Sequence, residues 1–505
     1  MGEVGILSER LLIEFSVLTM VAIIVALLAR WRGFGIAIPL TLAGILIGLF
    51  PSGPQFGLHP ETVLVVILAP LVFGEALSLG FVDLRRARRP ILFLAILLVI
   101  VGAFAVGTVA SLVIPGIPFA VAVAFGAILG PTDAVSVSAT ARRAGLSHRL
   151  VTVLEGESLV NDGAALTFLR VAILAAAAGT VSAGQVSLIL VQAVVGGVAF
   201  GLIGGFGLVW LMRKSNDLLA INGLILVAPF PLYLGSEVFE GSGILAVVVA
   251  AIVVAHQHTK YGGFRSRLHF GSIWSQITFV LQSVAFIFIG IEIPNTIRDL
   301  PGGQLSLLLM LIPLAWITIV VVRFVFMFVF VKATSVFALH DESDEKSGGR
   351  DWIVAAWAGS RGPISGLAAF SLPLVMNSGE PFPYRELVIA TTLCVVLITL
   401  LLGPTLAPLA RFVGASEDDN ADQRRDVEIK LAKVALDTLE QTVAESEWEN
   451  TVEVQEAVSV LMRVAQNRVD RALQAIELDH EQNTSVDPKS AKTVADALRR
   501  KMGFT

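Results

Sequence analysis

Cysteine is nearly absent. The 505 residues hold one, Cys394, which rules out an intrachain disulfide and any thiolate metal cluster. Charge is scarce as well: charged residues make up 15% of the chain, where a soluble protein carries about 25%. Lys and Arg number 36 against 41 Asp and Glu, for a net charge of −5, so there is no basic excess to suggest nucleic-acid binding. No basic run precedes the first apolar stretch. Arg30 and Arg32 follow it instead, so it reads as a retained span rather than a cleaved signal peptide. What fills the chain is apolar. Hydrophobic residues make up 55%, in long runs that recur from Leu11 to Phe412. Such runs imply an all-α polytopic membrane protein set in lipid.

Charged, Pro and Gly clusters divide the apolar region into about thirteen spans: 11–29, 34–50, 61–81, 91–114, 117–141, 147–178, 185–212, 218–235, 242–257, 273–293, 303–331, 352–376 and 386–412. Basic residues gather after the odd-numbered spans: Arg30 and Arg32; Arg85, Arg86, Arg88 and Arg89; Arg142, Arg143 and Arg149; Arg213 and Lys214; Lys260, Arg265 and Arg267; Lys332, Lys346 and Arg350. Only Arg298 and Arg385 break the alternation. Cytoplasmic loops concentrate Lys and Arg, so the N-terminus is expected outside and the C-terminus in the cytoplasm.

The sixth span holds the densest polar cluster. Glu155, Glu157 and Asp162 sit among apolar residues in Leu-Glu-Gly-Glu-Ser-Leu-Val-Asn-Asp-Gly-Ala-Ala-Leu (154–166). An ionisable group in a span costs roughly 2.5–3.5 kcal/mol, so it normally carries function. Ser158 and Asp162 lie one helical turn apart on one face, with Glu155 on the same stripe and Glu157 with Asn161 on the next. A carboxylate with a hydroxyl one turn away offers hard oxygen ligands to a small cation. A polar clamp that only fixes packing is the plainer alternative.

Two spans are broken in the middle. Gly130-Pro131-Thr132-Asp133 interrupts the fifth span and Gly359-Ser360-Arg361-Gly362-Pro363 the twelfth. The twelfth is itself fifth of a second set if that set begins at span eight. Matched breaks point to inverted repeats with a binding site where two broken helices cross. Asp133 can balance a positive half-helix end, Arg361 a negative one, and Thr132 can lend oxygen to a cation. Arg323 lies mid-span and calls for a buried acid, with Glu157 the candidate. Glu75 on span three lines the ion path or packs. Gly197, Gly201 and Gly205 mark close helix packing, Glu237 and Glu240 a solvated outer end, and His256, His258 and His269 a solvated loop.

Past about Gly414 the composition turns acidic. A linker at 417–422 leads into apolar residues recurring mostly at three- and four-residue intervals, Val427, Leu431, Val434 and, five on, Leu439, then from Val454 to Leu473. Residues 1–412 therefore form a transmembrane domain and 413–505 a cytoplasmic helical tail, of regulatory type and with an unknown partner.

Gly-Pro-Thr-Asp (130–133), Glu-Gly-Glu-Ser-Leu-Val-Asn-Asp-Gly (155–163), Gly-Ser-Arg-Gly (359–362) and Tyr-Leu-Gly-Ser-Glu-Val-Phe-Glu-Gly-Ser-Gly-Ile (233–244) resemble signatures of monovalent cation:proton antiporters of the NhaP and NHE type. The resemblance covers roughly residues 10–412. It implies an NhaA-like antiporter fold and a homodimer in which each protomer joins a dimerisation domain to an ion-translocating core. It further implies that Asp162 carries cation and proton in alternation, that Ser158 and Thr132 coordinate the cation, and that Asp133 supports the site. Asn161 stands where electrogenic relatives have a second Asp. Glu157 would pair with an arginine of the second half, for which Arg323 matches by span. Relatives often place an acid directly after the span-three Phe, whereas here Gly74 intervenes before Glu75.

The expected function is exchange of Na+, or Li+ or K+, for H+ across the cytoplasmic membrane, without a cofactor. It is a transporter rather than an enzyme, serving pH homeostasis and sodium tolerance. A cation-coupled solute symporter or a cation channel is the alternative.

Overall fold

The computed structural model describes residues 2–50, 63–78, 91, 93–133, 148–177, 183–215, 217–261, 264–336, 351–376 and 378–414, with scattered residues between 430 and 466. The chain divides into two compact units, Met1–Ser416 and Glu417–Thr505. Described residues of the second unit, Lys430, Val434 and Thr438 among them, are helical. Much of its apolar repeat, including Leu431, Leu439 and Leu461, lies outside the described residues. So do Arg85, Arg86, Arg88, Arg89, Arg142, Arg143, Lys346 and Arg350 of the basic loops.

The regular secondary structure among the first unit's described residues is helical, apart from one bridge between Val375 and Pro381. Its first half holds α1 (Gly2–Trp31), α2 (Ala37–Gly48), α3 (Ala69–Ser78), α4 (Leu98–Val113), α5 (Phe119–Ile128) and α6 (His148–Ala177). Single π-helical stretches, Val63–Leu68 and Phe93–Leu97, lead into α3 and α4. Next come α7 (Ala183–Lys214), α8 (Leu218–Val227), α9 (Pro229–Val238), α10 (Gly243–Tyr261) and α11 (Phe264–Arg298). The last are α12 (Gln304–Val336), α13 (Asp351–Trp357), α14 (Pro363–Phe370), α15 (Arg385–Leu402) and α16 (Leu406–Val413).

Eight of the described helical stretches are long and apolar enough to cross a membrane, and four shorter apolar helices accompany them. Burial sorts them. The apolar windows of α6 and α11 are each 67% buried, against 22%, 17% and 22% for α1, α7 and α12. The outer helices present Leu, Ile, Val and Phe side chains outward, as lipid contact requires. The helix bearing Asp162 is thus an inner one.

Local chemistry sets several boundaries. The span expected at 218–235 is one apolar stretch, Leu219–Val238, with its helix interrupted at Ala228, because Pro229 has no amide to donate and takes the first position of α9. The Asp217 side chain caps α8 by accepting from the amides of Leu219 at 2.9 Å and Ala220 at 3.3 Å. His256, His258 and His269 fall within α10 and α11 rather than in a loop, because no Pro ends either helix and both run on past the apolar stretch. The glycine stripe of α7 packs within the chain. A Cβ at Gly197, Gly201 or Gly205 would sit 2.8 Å from the Ser242 carbonyl oxygen, 2.6 Å from that of Ala246 and 3.0 Å from Ala250 Cα, all at α10.

Candidate functional site

Helical spacing brings Ser158 and Asp162 to one face of α6, and packing of α6 against its neighbours seals that face. Asp162 is 0% exposed and Ser158 1%. Both Asp162 carboxylate oxygens are buried without a hydrogen-bond partner among the described residues. Taking an ionised carboxylate out of water with no donor is strongly unfavourable, so this group needs a proton or a cation. Glu75 and Asp133 lie close enough for their charges to act on it.

Opposite this face runs an unwound strand of backbone. α5 ends at Ile128, Leu129 turns, Pro131 blocks continuation of the helix, and 130–133 take no regular secondary structure. The Ser158 hydroxyl donates to the Thr132 carbonyl. Asn161 Nδ2 donates to Thr132 Oγ1 at 2.7 Å, and the Thr132 amide donates to Asn161 Oδ1 at 3.5 Å. Thr132, Ser158 and Asn161 therefore form one cluster, all more than nine-tenths buried. The far half of span five, residues 134–141, lies outside the described residues.

The second interruption meets the first. α13 stops at Trp357, and α14 starts at Pro363, where proline costs no helical hydrogen bond. Between them the Ser360 carbonyl accepts from the Asp133 amide at 2.8 Å, while Ser365 donates to the Pro131 carbonyl at 3.1 Å. Each charged residue lies against the helix end of opposite sign. Arg361 Nε donates to the Leu129 carbonyl at 2.7 Å, at the end of α5, and Nη1 to the Gly359 carbonyl at 2.7 Å. The Asp133 carboxylate abuts Gly362 at the start of α14. A Cβ there would stand 2.6 Å from Asp133 Cβ and 2.8 Å from Cγ, closer than side chains pack. A cavity lined by Gly130, Asn161, Arg323 and Arg361, among others, flanks the crossing.

Glu157 and Arg323 find each other. Arg323 Nη1 and Nη2 donate to the two Glu157 oxygens at 2.6 and 2.9 Å, with the side chains 1% and 4% exposed. Arg323 also donates to the Ala355 carbonyl, tying α12 to both α6 and α13. Arg361 takes the other role and faces carbonyls. Glu75 accepts from Gln282 Nε2 at 3.3 Å, a partner on α11 that no sequence signal marked. Thr399 was missed as well; its hydroxyl accepts from the Arg361 amide at 3.0 Å and positions the second break. Glu155 is half-buried. Glu237, expected to be solvated, is paired with Arg170 at 2.9 Å, since α6 and α9 approach at that end.

This geometry has counterparts. Residues 17–412 match the family described as sodium/hydrogen exchanger, transmembrane. The chain belongs to that family. An uncharacterised Na+/H+ exchanger of Mycobacterium tuberculosis is 33% identical over 444 residues, covering 84% of this exchanger and 80% of the relative. A sodium, potassium, lithium and rubidium/H+ antiporter of Bacillus pumilus is 30% identical over 439 residues, covering 84% of this exchanger and 64% of that protein. The solved sodium proton antiporter MjNhaP1 from Methanocaldococcus jannaschii shares the fold at a TM-score of 0.58 and 16% identity, over 78% of this exchanger and 97% of that chain. This exchanger is thus a polytopic helical membrane protein of a cation:proton antiporter family, a transporter class rather than an enzyme class.

Proposed function

We propose that the protein exchanges Na+ for H+, one for one, across the cytoplasmic membrane by alternating access. The observation that carries this reading is the buried Asp162 carboxylate, which has no donor among the described residues and lies one helical turn from Ser158, whose hydroxyl donates to the Thr132 carbonyl. One carboxylate holds either a proton or a cation. Each displaces the other, so neither crosses on an empty return. Asp162 is the shared carrier. Ser158 and the oxygens of Thr132 complete the cation's shell, and Asp133 adds negative potential beside it. Asn161 adds no second charge, so the loaded states match and the cycle is electroneutral. Na+ is the substrate, with Li+ and K+ as candidates for the same hard-oxygen site. Glu75 lies on the approach path.

In this reading residues 1–412 cross the membrane thirteen times as two inverted repeats, with the N-terminus outside and the C-terminus in the cytoplasm. Two chains pair as a homodimer in lipid, and the tail from 413 onward regulates exchange. The activity serves pH homeostasis and sodium tolerance.

The test is Asp162→Asn in proteoliposomes, with internal pH followed under an imposed Na+ gradient. The variant is expected to fold and to lose Na+-driven proton movement altogether. Residual exchange at the parent rate would remove Asp162 from the role. A channel would pass uncoupled current, and a symporter would need a second solute.

A further inference from the structure

Two turns beyond Asp162 on the same stripe of α6, Arg170 reaches across to the turn between α9 and α10. Its Nη2 lies 2.9 Å from Glu237 Oε2, and Nη1 donates to the Gly241 carbonyl. Glu237 Oε1 accepts from the Gly243 amide at 3.0 Å. One turn nearer Asp162, Thr167 donates to the Gly163 carbonyl at 2.7 Å, and its hydroxyl oxygen meets that of Ser242 at 2.9 Å. Apart from Gly163 on α6 itself, these partners lie within residues 237–243.

That turn is rigidly held. Glu240 adopts the left-handed region at φ 58°, uncommon for a residue with a side chain. Gly241 rests against α7, where a Cβ would stand 2.6 Å from Gly196 C and 2.7 Å from Gly197 N. The Ser242 amide donates to the Ala193 carbonyl at 2.9 Å. One end of the Asp162 helix is therefore fastened to a fixed assembly of α7, α9 and α10. The fastening differs in kind from Glu157–Arg323. Its two charged side chains are 24% and 30% exposed, against 4% and 1% for the buried pair. Water can take up its charges when it opens, whereas the buried pair has no such exit.

We propose that Arg170 and Glu237, with Thr167 and Ser242, are positioning residues that form a releasable clasp. The clasp closes one of the two routes to Asp162 and sets the balance between the two facing states. This rests on the alternating-access reading above. An ion pair this exposed contributes little stability, so its loss should shift the balance by roughly two- to fivefold rather than unfold the protein.

The experiment places a cysteine at Leu166, which is 6% exposed and sits between Asp162 and Arg170 on the stripe, in a Cys394→Ala background. A membrane-impermeant maleimide is applied from each side of vesicles, and Na+/H+ exchange is measured in the same preparations. Arg170→Gln, Glu237→Gln and the double variant should each raise labelling from the clasp's side by roughly two- to fivefold. The three rises should be equal, because either change opens the same unit. Arg170→Lys should restore part of the protection. Unchanged labelling, a rise from both sides, or additive shifts would each overturn the clasp while leaving the exchange reading intact. Absence of Na+/H+ exchange in the parent would instead remove the reading beneath it.

Discussion

Glu157 and Arg323 carry opposite charges in a place with almost no water, and each makes the other tolerable. Glu157→Gln leaves a buried guanidinium without its counter-charge and should cost about 3–5 kcal/mol. Replacing both residues with methionine removes both charges and should recover most of that loss. Thermal unfolding in detergent checks this; a double variant as unstable as the single one would contradict it. Ser158 acts on a smaller scale. Ser158→Ala removes one hydroxyl and should raise the KM for Na+ by about two- to tenfold with little change in maximal rate. These residues were legible in the sequence because a charge inside an apolar run has few bland explanations. Arg170 and Glu237 were not, for Glu237 lies at a helix end where solvation is the ordinary outcome, and the pairing of the two depends on which helices meet. The bonds from Asn161 to Thr132 were also hidden, since the sequence pointed only to its missing charge.

At the scale of elements, the two interruptions do the positioning. Neither Gly-Pro break makes a site alone. Together they hold the Thr132 backbone against α6 and set Asp133 and Arg361 at opposite helix ends. Gly362→Ala would force the Asp133 carboxylate aside and should lower exchange about tenfold or more, as misplacement of a binding group does. Gly302→Ala, where nothing lies within 4 Å, is the matched control and should leave exchange unchanged. Equal rates in the two variants would show that the close approach at Gly362 is dispensable. Both breaks were readable from Gly and Pro alone. The interruption of the span-eight helix at Pro229 was not, because Pro at a helix start and Pro within a helix look alike in sequence. Pro294 and Pro313 lie inside α11 and α12 without ending them.

At the scale of the whole molecule, the hydropathy pattern exposed the membrane region because lipid rewards continuous apolar surface, and the outer helices show it. The pattern could not tell inner helices from outer ones, since both are apolar; only polar residues such as those of α6 hint at the difference. One-for-one exchange predicts that a voltage-sensitive dye stays silent while internal pH changes under a Na+ gradient. The central claim is that proton and cation compete for Asp162, and calorimetry of Na+ binding across pH tests it most directly. On the acid side of the active range the dissociation constant should rise about tenfold for each unit of pH lost, with about one proton released per ion bound. A Na+ affinity that stays constant across that range, with no proton released, would contradict the account.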